Sequence, residues 1–172
     1  MTSNINRKVF IDSTTFLGMH SDDERIRVES VNFFSSRFNS SLYMSAEQVG
    51  ICDEIVWSYT REIQDLYYPF MDRIHTEMDI NRVSYSYQDI NLVIDDDNLN
   101  RLSTSKALLM AQVINNDGVI YTHDHNLLNN EIFSKYIGTF DSYQYLRFKS
   151  SLSESYSVSK ALKVNIGNVI YE

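Results

Sequence analysis

The chain has 172 residues, 43% of them hydrophobic, with five glycines, one proline and one cysteine. That suits one domain with a sizeable core and excludes a low-complexity or disordered chain. Cys52 alone cannot form an internal disulfide, and a net charge of -8 excludes a general nucleic-acid coating protein, whose affinity comes from neutralising phosphates.

The longest apolar stretches, such as KALLMAQVI at 106–114, are too short to span a bilayer. The N-terminal apolar run breaks at Asp12, so no secretory signal is read there. A cytoplasmic protein with no membrane contact is expected.

In chain order, KVFID at 8–12 predicts a short buried strand ending in an acid. Over 22–38, Ile26, Ser30, Phe33, Phe34 and Arg37 fall near one helical face. SLYMS at 41–45 predicts a second strand, with Ser45 capping a helix from Ala46 to about Tyr59. A further helix is expected over about 60–78, where Pro69 starts a new segment or kinks the helix. Tyr67, Tyr68 and Phe70 in that helix read first as packing core or an oligomer contact, and second as a stacking platform for bases. Residues 79–100 look less regular. VSYSYQ alternates like a strand or an extended loop, and Asp95, Asp96 and Asp97 read as a solvated charge run. Ser103 then caps a helix over 104–115 with the stripe Ala107, Leu108, Ala111 and Ile114. NNDG stops it, GVIYT at 118–122 is a third strand, and DHNLLNNEIF opens another helix. A closing helix or strand follows in the serine- and tyrosine-rich residues after Asp141.

Short strands alternating with helices predict a three-layer α/β/α domain with a central, mostly parallel sheet. In such sheets functional groups gather beyond the carboxyl ends of the strands. Asp12 ends the first strand and Asp124 follows the third. Glu47, Asp53 and Glu54 lie on the helix after the second. Acids from three chain regions at one sheet edge suit Mg2+ or Mn2+, which take hard oxygen ligands and can activate a phosphodiester for hydrolysis. Each acid also has a plainer role. Asp12 can accept backbone N–H groups, Asp124 can be a helix cap, and Glu47 can be a first-turn acid favoured by the helix dipole. His123 and His125 flank Asp124 and read by default as exposed loop histidines, with a metal role as the alternative.

These motifs resemble the PIN family of metal-dependent nucleases. FIDSTTFLG is similar to the family's opening strand and aspartate. VIYTHDHNL is similar to its closing strand and Thr-x-Asp, and KALLMAQVI to the alanine-rich helix before it. LYMSAEQVGICDEIVW stands where the family has its second strand and glutamate-bearing helix. The likeness runs over about 8–140 of one domain spanning 1–172, with 141–172 as a C-terminal extension. It implies a Mg2+- or Mn2+-dependent endoribonuclease acting on single-stranded RNA. Asp12, Asp53 and Asp124 would be the metal ligands, Glu47 an alternative or additional catalytic acid, and Thr122 a supporting group. One departure stands out: Lys106 occupies the position of the family's third aspartate. A protonated amine cannot ligate a metal, but it can take a metal's place as a fixed positive charge. The alternative function is therefore a catalytically inactive PIN-like accessory protein that binds a protein partner or a small ligand. The aromatic content, 13% of residues, adds the expectation of a homodimer or higher oligomer.

Overall fold

The structure, a computed structural model, describes residues 6–141 and 145–169. Strand β1 is Val9–Ile11, followed by helices α1 (Ser13–Gly18) and α2 (Glu24–Ser36). Strand β2 is Leu42–Ser45, then come α3 (Ala46–Trp57) and α4 (Arg61–Glu77). Strand β3 (Ile80–Val83) leads to α5 (Tyr87–Asp95) and, after a 3-10 turn, to α6 (Thr104–Asn115). Strand β4 is Val119–Tyr121, with α7 (His125–Leu128), a second 3-10 turn, α8 (Ser150–Ser159) and a last 3-10 turn at Ile166–Val169. No helix among the described residues is long and apolar enough to cross a membrane.

The strands form one parallel sheet in the order β3-β2-β1-β4. Side chains alternate across it, as period two requires. Ile11, Leu42 and Met44 face the layer that holds α1 to α4 and α8. Phe10 and Ile120, paired in register, face α6. The three-layer α/β/α expectation therefore holds.

Several local expectations need correction. The edge strand β3 lies in a segment that reads as irregular, because INRV carries polar residues suited to a half-solvated edge. VSYSYQ is not a strand: Val83 ends β3, and Tyr87 and Gln88 already belong to α5. A reciprocal Ser86–Asp89 capping box starts α5, and its S-x-x-D signature was available in the sequence. Pro69 starts no new segment, since α4 runs through it. Ser103 stands at the head of α6 without capping it; its hydroxyl is buried and has no hydrogen-bond partner. In α6 the burial shifts from the expected stripe: Ala107 and Ala111 are buried with Leu109, Met110 and Val113, whereas Leu108 and Ile114 are only half-buried. Tyr67 and Phe70 belong to the core, where Phe70 packs against Phe148 and Tyr156 around α8. They cannot supply the oligomer surface or the base-stacking platform.

The turn before β4 shows why NNDG stops α6. Asp117 takes the left-handed backbone, φ 46°, and Gly118 N–H bonds the Val113 carbonyl. Gly118 is needed for space: a Cβ there would lie 2.7 Å from the Phe10 ring.

Candidate functional site

Ile11 pairs with Tyr121, so the next residues, Asp12 and Thr122, emerge side by side at the carboxyl end of the sheet. The chain turns at once into α1, and Asp12 caps it by accepting Thr15 N–H at 3.0 Å. Thr14 donates to the same carboxylate oxygen at 2.7 Å, and Thr122 donates to the other at 2.5 Å. Each threonine hydroxyl also accepts a backbone N–H from the β4 side: His123 N–H to Thr14 at 2.8 Å, and Asp124 N–H to Thr122 at 2.9 Å. The two hydroxyls thus tie Asp12 to the turn carrying Asp124. Asp12 is 3% exposed. Burial raises its pKa above the usual carboxylate range, the three hydrogen bonds oppose that, and the Asp124 charge adds to the rise.

Asp124 caps α7 with one oxygen, accepting Asn126 N–H at 2.8 Å. Its other oxygen lies 3.0 Å from the Lys106 ammonium. Both partners are buried, Lys106 at 8% and Asp124 at 4% exposed. Lys106 sits in the first turn of α6, the end where the helix dipole disfavours a cation. Asp124 offsets that cost by direct charge pairing.

The side chain that α3 brings to the site is Gln48, capped from Ser45 and accepting Ser13 N–H at 2.9 Å. Sequence reasoning missed Gln48 and Thr14. The signal for Gln48 is its place three residues after the Ser45 cap, on the buried side of α3, where a neutral amide carries no metal-ligand signature. The predicted acids of α3 go elsewhere. Glu47 is exposed and accepts the Tyr85 hydroxyl at 2.6 Å. Asp53 borders a separate cavity of about 100 Å³ with Cys52, Tyr67, His75 and Arg82. Burial raises the Asp53 pKa, with Arg82 opposing. Glu54 is exposed. The structure therefore brings together Asp12, Thr122, Asp124 and Lys106, and leaves Glu47 and Asp53 outside.

The space enclosed by Asp12, Ser13, Thr14, Gln48, Lys106 and Asp124 is about 20 Å³, and Val169 from the C-terminal turn also lines it. That volume holds about one water molecule. A divalent ion needs several oxygens free to turn toward it. Here both Asp12 oxygens and both Asp124 oxygens already have partners, and α3 contributes an amide. Among the described residues no group of three or more His, Cys, Asp or Glu is placed to hold a metal ion. As arranged, these side chains do not fit Mg2+ or Mn2+.

A serine, a histidine and an acid align nearby. Ser30 Oγ is 2.9 Å from His123 Nε2, and Glu29 Oε2 is 3.8 Å from His123 Nδ1. The order mimics a nucleophile, base and orienting acid. The acid contact is too long for a hydrogen bond. Ser30 is fully buried and stands outside the lining of the adjoining cavity of about 250 Å³, which includes Glu29, His123 and His125. His123 is not an exposed loop histidine, since it stacks on Phe140 at 4.3 Å between ring centroids. Burial, helped by Arg25, lowers its pKa to about 4. These contacts make it a packing residue. Only His125 of the pair is exposed. Burial likewise pushes the Cys52 thiol well above its ordinary range, which removes it as a nucleophile.

Residues 1–169 match a family described as "Family of unknown function (DUF6190)", and the chain belongs to that family. Neither a search of curated proteins nor a search of solved structures found a match to the chain.

Proposed function

We propose that this member of the DUF6190 family is a PIN-like domain whose metal centre has been replaced by an internal ion pair, and that it works by binding a partner. The buried Lys106–Asp124 contact at 3.0 Å carries this reading. An ammonium on Asp124 supplies the positive charge that a metal would supply in a nuclease. Gln48 in place of an acid, and a cavity of about 20 Å³, support the same conclusion. An RNA phosphate has no room beside Asp12. The motif order from Asp12 to Asp124 supports the PIN-like relationship. A binding role is supported by exposed apolar side chains on one face of α5, Tyr87, Ile90 and Ile94, which follow the i, i+3, i+7 spacing of a helical contact surface.

Calorimetric titration of Mg2+ and Mn2+ into wild type, Asp12→Asn and Lys106→Asp tests the reading, paired with a cleavage assay on single-stranded RNA. Wild type is expected to bind neither ion and to leave RNA intact. Lys106→Asp, which adds a carboxylate beside Asp124, is expected to gain ion binding. Tight binding by wild type, lost in Asp12→Asn and accompanied by cleavage, would restore the nuclease reading.

A further inference from the structure

The largest cavity described above is exceeded by one at the opposite end of the sheet. It encloses about 580 Å³ and is lined by Asn6, Arg7, Lys8, Arg37, Ser40 and Tyr43, with neighbouring residues of the same loops. Lys8 directly precedes β1, and Ser40 and Ser41 precede β2. The cavity therefore opens at the amino ends of the central strands, away from Asp12.

Its charge is one-sided. Among the described residues three cations line it and no carboxylate does, on a chain whose net charge is -8. None of the ion pairs among the described residues includes Arg7, Lys8 or Arg37. Neutral groups hold the three cations in place. Arg7 donates to the carbonyls of Asp117, Gly118 and Lys135. A guanidinium has five N–H groups, so two remain for a ligand. Arg37 stacks on Phe33 and Tyr121, at 4.5 and 4.6 Å from their ring centroids, and donates to the Tyr121 hydroxyl at 2.7 Å. Lys8 donates to the Asn116 side chain at 3.0 Å. Cations oriented before binding lose little side-chain freedom when an anion arrives.

We propose that this cavity binds a phosphate-bearing small molecule. Planar guanidinium groups suit phosphate oxygens, and Ser40, Asn39 and Tyr43 add neutral hydrogen-bonding groups. The volume lies within the range of small-molecule sites. A long nucleic acid is disfavoured, because a polyanion spread over the rest of this acidic chain meets repulsion.

Calorimetry on the full chain tests the proposal with four probes: inorganic phosphate, adenosine 5′-monophosphate, adenosine and a short RNA oligonucleotide. Wild type is expected to bind the first two and not the third. Lys8→Gln and Arg37→Gln are each expected to weaken binding about tenfold, the ordinary loss for one charge-assisted hydrogen bond. Lys8 is exposed, so Lys8→Gln keeps the fold even if Arg37→Gln loosens the stacking on Phe33. Tighter binding of the nucleotide than of phosphate identifies an esterified ligand, and equal binding identifies free phosphate. The proposal is overturned by no binding of either phosphate, by binding indifferent to Lys8→Gln, or by binding of an RNA oligonucleotide alone. None of these results depends on whether the Asp12 site holds a metal.

Discussion

The two ends of the sheet treat charge in opposite ways. At the carboxyl end, Asp12 and Asp124 are buried, and their oxygens meet two threonine hydroxyls, backbone N–H groups and the Lys106 ammonium. At the amino end, Arg7, Lys8 and Arg37 border an open cavity and meet carbonyls, an amide and aromatic rings. The first end meets its two carboxylates with one ammonium and neutral hydrogen-bond donors, and leaves space for about one water molecule. The second holds unbalanced charge around open space. Position in the fold alone points to the carboxyl end as the binding site of a parallel α/β sheet. Charge compensation and volume point to the amino end. Side-chain chemistry and the topological rule thus point to different ends of the sheet.

The largest expected effect breaks the balance at the carboxyl end. Lys106→Met leaves Asp124 buried beside Asp12 with no cation, and Asp124→Asn leaves a buried ammonium. Removing one partner of a buried pair costs about 3–5 kcal/mol, because the survivor keeps its desolvation penalty. The double variant Lys106→Met with Asp124→Asn should recover most of that loss. Urea unfolding of the three variants at pH 7 measures this. Single variants costing under about 1 kcal/mol would mean that solvent reaches the pair and the end is not closed.

How far this contrast can be read in the sequence depends on the residue. Asp12 and Asp124 were legible because strand periodicity places both just past strand ends, and parallel register then brings them to one edge. Lys106 was legible as a misfit against an expected acid. Asp53 and Glu47 were misplaced because the sequence names the acids of α3 without fixing which face of the helix turns inward; Gln48 takes that face. The amino-end cavity was invisible. Arg7, Lys8, Arg37 and Tyr43 come from three chain regions, and only pairing of β1 with β2 assembles them. Strand β3 and helix α5 escaped because their apolar residues are partly exposed, which blurs the periodicity. The long helices α2, α3, α4 and α6 carry apolar runs at helical spacing and lie within a few residues of the expected bounds, although only α2 and α3 are capped by a side chain.

His20 sharpens the contrast, since it is buried and has no counter-ion among the described residues. Ser159 donates its hydroxyl hydrogen to the Tyr156 carbonyl, so His20 Nε2 donates to Ser159 Oγ at 2.8 Å. Nδ1 is then an acceptor, buried without a partner among aromatic rings. Burial, with Lys163 nearby, lowers the pKa from 6.5 to about 3. A lowered histidine pKa means that the unfolded chain takes the proton first. The stability it contributes is therefore present above pH 6.5 and lost as pH falls toward 3. Between pH 6.5 and 5 that loss is about 2 kcal/mol. Asp12 and Glu29, whose pKa values are raised, act in the opposite direction, so wild type alone does not isolate the effect. The stability difference between wild type and His20→Gln isolates it, and should shrink by that amount over this interval. A difference that stays constant with pH would show that His20 does not remain neutral.

The smallest effect concerns the amino end and appears only when ligand is present. Lys8 is exposed and has no carboxylate partner among the described residues, so replacing it leaves no buried charge behind. Lys8→Gln should change stability by no more than about 0.5 kcal/mol in phosphate-free buffer, as for a surface substitution away from special features. The difference emerges with ligand. A molecule that binds only the folded chain stabilises it by about 1.4 kcal/mol when present at ten times its dissociation constant. Inorganic phosphate at that level should raise the melting temperature of wild type. At the same concentration Lys8→Gln, binding about tenfold more weakly, should gain about 0.4 kcal/mol. Sodium chloride should erode the wild-type gain, since exposed charges are screened as ionic strength rises. Parallel melts with phosphate and with sulfate-free chloride at matched ionic strength separate binding from general salt effects. Equal gains in both proteins would assign the stabilisation to the solvent and would leave the amino-end cavity no different from the rest of the surface.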